Sequence, residues 1–179
     1  MVVIMFNENI AVSQLSELFA LALGKSPERA KQIGIAGALH DVGKKLIDPH
    51  IINKADKLTD DEFEILKTHT KLGAELLSDL HGDLGKIVAK VCEFHHERVD
   101  GKGYWNVPLK DLPDYVAIVG ISDVFVACCA ERPYKEPWSP DQSLAHIKNI
   151  AGTHFPVELV DSFSHFMRKD KNALSILGY

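Results

Sequence analysis

The sequence predicts an all-α fold, a bundle of about seven helices. Three observations support this prediction: apolar residues recur at steps of three and four, capping residues flank these segments, and no segment alternates with the period of a β-strand. The chain has 179 residues, 46% of them hydrophobic, which suits one domain with one sizeable core. We therefore expect residues 1–179 to form a single helical domain.

Two helices are predicted in the first quarter of the chain. Apolar side chains form one stripe over residues 9–23, and Gly24 follows as a C-terminal cap. Ser26, followed by a proline and a glutamate, is typical of a helix start. The second helix then runs toward His40, and we expect Gly43 to end it.

The third and fourth helices carry histidines. Residues 59–62, Thr-Asp-Asp-Glu, form a capping box. We expect the helix that follows to bury Phe63, Leu66 and Leu77 and to hold His69 near its middle, facing inward. A fourth apolar stripe ends around the histidine pair at 95 and 96.

The second half of the sequence predicts three more helices. Pro113 starts an almost wholly apolar segment, which is typical of a central buried helix. Asp123 lies in this segment, so we expect a carboxylate inside the core, a costly placement unless the group is paired or bound to a cation. Residues 139–141 and 155–156 open the last two helices.

Composition excludes several classes of protein. The chain has 20 Lys and Arg against 25 Asp and Glu, a net charge of -5, which gives no electrostatic case for duplex nucleic acid. Its three cysteines lack CxxC spacing. We therefore expect a protein of the reducing cytoplasm and not a secreted protein held by disulfides. The apolar N-terminus is too short for a signal peptide or a span, so no membrane association is expected.

Potential metal ligands recur through the sequence, and they mix imidazole with carboxylate. They are His40, Asp41, His69, His95, His96 and Asp123. Such donors suit divalent iron, manganese, zinc or nickel. Six donors exceed the needs of one tetrahedral ion, and adjacent histidines on a helix point about 100° apart. We therefore predict two ions, with Asp41 as their bridge at a spacing of roughly 3.5 to 4 Å.

Two motifs among these residues resemble a known family. Residues 40–44, His-Asp-Val-Gly-Lys, and residues 95–105, which begin His-His-Glu and end Gly-Tyr-Trp, resemble the signatures of HD-GYP domains. Residues 123–135 and 152–155 resemble later family segments, so the resemblance covers essentially the whole chain. It implies an HD-domain bundle that hydrolyses cyclic di-GMP, a signalling nucleotide, with iron or manganese ions in a cytoplasmic enzyme.

The resemblance also implies roles for individual residues. It assigns metal binding to the six ligands named above, contact with the scissile phosphate to Lys44, and the grip on substrate phosphates to Arg132 and Lys135. The mechanism we expect is attack on phosphorus by a hydroxide that bridges two metals and is positioned by Asp41. The substrate is then a cyclic dinucleotide or another phosphoester.

The chain departs from the family at two important positions. Trp105 replaces the proline of the Gly-Tyr-Pro triplet, and we expect a freer loop whose indole stacks on a guanine or packs against a partner. Glu8 stands where the family supplies another histidine ligand. Two alternatives stay open: Glu8 replaces that histidine as an oxygen ligand, or the second metal is weakly held. Ile4 replaces a glutamate of the three-metal versions, so a third ion is not expected.

Other residues receive ordinary interpretations. We expect Glu97 to brace a ligating histidine or to form a surface ion pair. Five further histidines are interpreted as polar or core residues: His50, His81, His146, His154 and His165. The main hypothesis is a cyclic di-GMP phosphodiesterase. The alternatives are a metal phosphohydrolase of broader specificity and a module that binds metal or dinucleotide with little or no turnover.

Overall fold

The computed structural model describes residues 2–131 and 136–176, apart from the side chains of residues 2–7 and 171. Most of these residues are helical, and the described part of the chain forms no β-strand, which confirms the predicted all-α class. None of the described helices is both long and apolar enough to span a bilayer. The helices are α1 (Val2–Ala22), α2 (Pro27–Leu39), α3 (Pro49–Ile52), α4 (Asp60–Lys67), α5 (His69–Leu76), α6 (Gly82–Phe94), α7 (Asp114–Cys129), α8 (Pro140–Asn149), α9 (Val157–Lys169) and α10 (Lys171–Ser175).

Helices α1 and α2 form a packed hairpin with the predicted caps. Gly24 has a positive φ of 80°, a conformation that glycine adopts without steric cost. The hydroxyl of Ser26 accepts a hydrogen bond from the backbone N–H of Arg29 at 3.2 Å, which satisfies one free donor of the first turn. The chain therefore reverses direction over the four residues 23–26 and brings α2 back along α1.

Helix α7 lies at the centre of the bundle, as its apolar sequence predicts. It packs against α1, α2, α6 and α8, and most of its side chains are buried. Phe163 of α9 makes edge contacts with Phe19 of α1 at 5.0 Å and with Phe125 of α7 at 5.5 Å between ring centroids. These aromatic contacts tie the far end of the chain to its first helix.

The prediction of one long third helix is wrong. The chain forms two helices there, α4 and α5, with a break at Thr68. The hydroxyl of Thr68 donates to the carbonyl of Ile65 at 2.6 Å, and such local bonds compete with regular helix. His69 is therefore the first residue of α5, where it is fully buried. Phe63 is 42% exposed, not buried, because the main helix neighbours of α4 in the described part are the short helices α3 and α5.

Helix α2 ends at Leu39, before the predicted stop at Gly43. Gly43 lies instead in a 3-10 turn, Val42–Leu46, that packs against α5. A methyl group at this position would overlap the carbonyl oxygen of His69 and the backbone nitrogen of Gly73. Glycine is therefore required for the close approach that brings the end of α2 to the buried start of α5.

We predict that Gly43→Ala lowers the free energy of unfolding by about 2 to 3 kcal/mol, because the added methyl group meets rigid backbone atoms. Gly24→Ala is the matched control: its Cβ would meet nothing within 4 Å, so only the strain of its positive φ remains, about 1 kcal/mol. Urea unfolding of both variants measures the difference. An equal or smaller loss for Gly43→Ala would contradict the proposed close approach.

Candidate metal centre

Three helix ends and the middle of a fourth helix bring the predicted donors together. His40 and Asp41 follow α2, and His69 begins α5. His95 caps the C-terminus of α6, with His96 next to it. Asp123 comes from the middle of α7. Donors separated by more than 80 positions in the sequence thus meet in one place, at one end of the packed helices.

The carboxylate of Asp41 lies at the centre of this group, and its two oxygens face different neighbours. Oδ1 lies 3.1 Å from Nε2 of His69 and 3.7 Å from Nε2 of His95. Oδ2 lies 3.3 Å from Nε2 of His40 and is paired with Nζ of Lys44. Nε2 of His40 is also 3.5 Å from Oδ1 of Asp123. Asp41 therefore separates a group around His69 from a group around His40.

Backbone carbonyls fix the orientation of three imidazole rings. Nδ1 of His40 lies 2.6 Å from the carbonyl oxygen of Gly37, and Nδ1 of His69 lies 2.6 Å from that of Leu66. Nδ1 of His95 has two carbonyl neighbours on α6, at 3.0 and 3.1 Å. Because Nδ1 donates to the backbone in each ring, Nε2 points at Asp41 and is available as a ligand atom.

The inward atoms of these residues lack hydrogen bonds although they are buried. They are Nε2 of His40, His69 and His95, and Oδ1 of Asp41. A buried polar atom without a partner costs about 1 to 3 kcal/mol, and a neutral imidazole lone pair facing a carboxylate oxygen adds repulsion. A cation between them would remove both costs. The ligand atoms of Asp41, His69, His95 and His96 lie within 4.8 Å of one another, so these residues fit a metal ion.

The pKa values of the imidazoles depend on which carboxylates they meet. Burial opposes the charged form of His40, but attraction to Asp41 and Asp123 outweighs it and raises the pKa of His40 to about 10. Burial and neighbouring histidines lower the pKa of His95, and burial lowers that of His96 to about 4. His95 and His96 are therefore neutral at pH 7, the form that binds metal.

The adjacent histidines differ from the prediction. We expected neighbouring side chains to point apart and to serve separate ions. The ring centroids of His95 and His96 are instead 4.0 Å apart, and both residues offer atoms to the same group with Asp41 and His69. The helix ends at Phe94, so the regular 100° step does not hold between the two residues. Two ions are supported better by Asp41, whose Oδ1 faces His69 and His95 and whose Oδ2 faces His40.

The remaining predicted residues have different outcomes. Asp123 lies at the rim of the site with 23% of its side chain exposed, and its Oδ1 is 3.5 Å from Nε2 of His40, so it faces the histidines and not the apolar core. Lys44 lies at the site through its ion pair with Asp41. Glu8 is half-buried on α1 and is not in the group of converging ligand atoms. Arg132 and Lys135 lie outside the described residues.

Glu97 braces a loop, not a histidine, and this differs from both earlier interpretations. Its side chain is 2% exposed and accepts the backbone N–H groups of Trp105 at 2.6 Å and Val107 at 2.8 Å. Gly103 lies so close to Glu97 that a methyl group would overlap its backbone and carboxylate. The carboxylate thus fixes the loop that follows His96.

Trp105 is held by its own chain. Its backbone N–H donates to Glu97, a bond that the family's proline cannot form. Its indole N–H donates to the hydroxyl of Thr70 on α5 at 3.0 Å, and Nζ of Lys71 lies 3.5 Å from the centre of the ring system. The loop is thus fixed by these bonds and is not freer, as was expected, whereas stacking of this ring on a base or its packing against a partner stays a prediction.

A cavity of about 320 Å³ opens beside the histidine pair. Sequence reasoning missed four of its lining residues, Phe63, Lys67, Tyr104 and His154. His154 had been interpreted as an ordinary polar residue. Tyr104 packs on His96 with 4.4 Å between ring centroids, and burial together with Asp41 and Asp123 raises its pKa to about 12. The spacing of Phe63 and Lys67, four residues apart on one helix, was the available signal.

Comparison with known proteins identifies relatives over most of this chain. A family model described as HD domain matches residues 2–159. The cyclic di-GMP phosphodiesterase response regulator RpfG of Xanthomonas campestris is 38% identical over 152 residues, 84% of this chain and 40% of that protein. A cyclic di-GMP phosphodiesterase of Thermotoga maritima is 35% identical over 153 residues, 85% of this chain and 42% of that protein. This chain thus spans less than half the length of these relatives.

Solved structures share the fold. Bd1817, an HDG"Y"P protein from Bdellovibrio bacteriovorus, superposes with a TM-score of 0.74 at 18% sequence identity, over 92% of this chain and 52% of that one. A likeness at this level of identity concerns the arrangement of helices and not the chemistry of the site.

We predict that Trp105→Pro lowers the free energy of unfolding by about 2 kcal/mol or more, although proline is the residue of the Gly-Tyr-Pro triplet. The substitution removes the N–H that Glu97 accepts and leaves a buried carboxylate oxygen unpaired. Trp105→Phe is the matched control: it keeps the N–H and a ring, loses only the bond to Thr70, and costs about 1 kcal/mol. Urea unfolding compares them. A proline variant as stable as the parent would show that the loop does not depend on this bond.

Proposed function

This chain belongs to the HD domain family, and we propose that it is a metal-dependent phosphodiesterase that hydrolyses cyclic di-GMP. One structural observation carries the proposal: buried ligand atoms without hydrogen bonds converge at Asp41. The names of the relatives support it, because relatives matched over more than four fifths of this chain are named cyclic di-GMP phosphodiesterases. We further propose that residues 1–179 act as one domain and that the protein works in the cytoplasm, in line with the odd number of its cysteines and their lack of CxxC spacing.

The proposed cofactors are two divalent metal ions, iron or manganese. Asp41 would bridge them, with Oδ1 on the side of His69 and His95 and Oδ2 on the side of His40. His96 would join the first side and Asp123 the second. Nitrogen and oxygen donors without a thiolate suit iron and manganese.

Metal ions in such a site supply an activated water and neutralise charge on a phosphate. The chain's own residues then bind and orient the substrate. Lys44 holds its ammonium at Oδ2 of Asp41, where it would meet a phosphate oxygen. The phenol of Tyr104 stays protonated at neutral pH, so it can donate a hydrogen bond beside His96. Arg132 and Lys135 are proposed to grip the substrate's phosphates.

We predict hydrolysis of cyclic di-GMP by protein purified without chelator and supplied with manganese or ferrous iron. Asp41→Asn should lower kcat/KM by more than about 100-fold, since losing a ligand costs more than the 10- to 100-fold effect of losing its outer partner. Asp48→Asn is the matched control, because Asp48 is exposed and only caps α3, a role that asparagine also fills. Product chromatography measures both variants.

The same assay separates the alternatives. Hydrolysis of bis(p-nitrophenyl) phosphate without hydrolysis of cyclic di-GMP would favour a phosphohydrolase of other specificity. Affinity for cyclic di-GMP by calorimetry without any product would favour a binding module. Either result would contradict the proposed substrate or the proposed turnover.

We predict that Glu8→Ala lowers the metal content from two ions to one per chain, because we propose Glu8 as an oxygen ligand in place of the family's histidine. Elemental analysis after gel filtration measures the stoichiometry. Glu17→Ala serves as the control, since Glu17 lies on the same helix and packs near Gly34 of α2. Two ions retained in Glu8→Ala would remove Glu8 from the ligand set.

A further inference from the structure

We propose that Phe63 and Lys67, on successive turns of α4, form a guanine-binding wall in the cavity beside the metal centre. Phe63 would stack on the base, and the ammonium of Lys67 would donate hydrogen bonds to its O6 and N7 atoms. This inference rests on the proposed function, because it concerns how the same site selects its cyclic dinucleotide. It adds two residues to which the sequence assigned no role in binding.

A row of aromatic rings leads from solvent to the metal ligands. Phe63 makes an edge contact with Tyr104 at 5.7 Å between centroids, and Tyr104 packs on His96 at 4.4 Å. His96 in turn contacts His69 at 5.4 Å. A substrate whose phosphate lies at the histidines would therefore extend a neighbouring base along this row toward Phe63.

Phe63 presents an open ring at the mouth of the cavity. It lines the cavity and is 42% exposed, although a large apolar side chain is normally covered when packing allows. Stacking of a base on such a ring strengthens binding by roughly 5- to 150-fold. One face of the Trp105 ring is already occupied, because Nζ of Lys71 lies 3.5 Å from its centre.

Lys67 supplies the polar contact. Its side chain lines the cavity and is only 15% exposed, and its Nζ lies 6.0 Å from the centre of Phe63 and 5.7 Å from the centre of the Trp105 ring system. The ammonium thus lies near both rings at the wall of the cavity, where it would reach the edge of a base stacked on Phe63.

An ion pair between Lys67 and Glu64 does not prevent this contact. The distance between Nζ and Oε1 is 2.8 Å, and the Glu64 side chain is 66% exposed, so the pair is weak and screened by solvent. An ammonium has three donors. Lys67 can therefore keep Glu64 on its solvent side and donate to a base on its cavity side.

The chemistry of this contact favours guanine over adenine. Guanine presents two adjacent acceptors, O6 and N7, and lysine is a common donor to them. Adenine presents N7 beside an amino group, which would face the ammonium donor to donor. A good contact of this kind discriminates between bases by about 1 to 3 kcal/mol, roughly 5- to 150-fold.

The test compares three substrates: cyclic di-GMP, cyclic di-AMP and bis(p-nitrophenyl) phosphate, which carries no base. We expect the parent protein to prefer cyclic di-GMP to cyclic di-AMP. Phe63→Leu should lower kcat/KM for cyclic di-GMP about tenfold relative to kcat/KM for bis(p-nitrophenyl) phosphate. Lys67→Met, which keeps the stem and removes the charge, should lower the preference for cyclic di-GMP about tenfold.

Two matched controls separate this effect from general damage. Ile65→Ala changes an exposed apolar residue of the same helix, and Lys86→Met removes an exposed charge from α6. Neither residue lines the cavity, so both controls should keep the parent's rates and preference. Circular dichroism melting and metal content check that each variant is folded and loaded.

The outcomes distinguish the two proposals. A parent protein that does not hydrolyse cyclic di-GMP would overturn the proposed function itself. A parent that hydrolyses cyclic di-GMP without preferring it, or a Lys67→Met variant with an unchanged preference, would overturn the guanine-binding wall alone. For Phe63→Leu, an unchanged ratio of kcat/KM for cyclic di-GMP to kcat/KM for bis(p-nitrophenyl) phosphate would remove the stacking role of Phe63. A lower value of this ratio in Phe63→Leu and a lower preference for cyclic di-GMP in Lys67→Met, with both controls unchanged, would support the guanine-binding wall.

Discussion

The buried carboxylate of Asp41 is the constraint on which the site depends. Removing a charge from water is costly unless it is paired and hydrogen-bonded, and Asp41 is 9% exposed. Its Oδ2 is paired with Lys44, whereas its Oδ1 faces imidazoles without a hydrogen bond. This arrangement is stable only with a proton or a metal ion among the donors, so the chain is built to hold a cation at this place.

The surrounding backbone keeps the donors together. Gly43 allows the turn after α2 to lie against α5, and Glu97 anchors the loop after α6 through two backbone N–H groups. Backbone carbonyls orient the rings of His40, His69 and His95. The same loop also places Tyr104 between the metal ligands and the open ring of Phe63. The proposed metal binding and the proposed base selection thus share one scaffold.

Local sequence signals predicted much of this structure, and long-range contacts decided the rest. Caps at Ser26, Thr59 and Ser139 lie as expected because they depend on a few neighbouring residues. The break at Thr68 and the exposure of Phe63 depend on what α4 packs against, which periodicity does not report. The donor set was predicted from residue types and motifs, whereas its division about Asp41 required coordinates.

Anomalous diffraction from crystals grown with manganese tests the central claim most directly. Data collected on both sides of the manganese absorption edge would locate each ion relative to Asp41. The account predicts two peaks bridged by this carboxylate, one beside His69 and His95 and one beside His40 and Asp123. A single peak, or manganese bound only elsewhere on the surface, would contradict it.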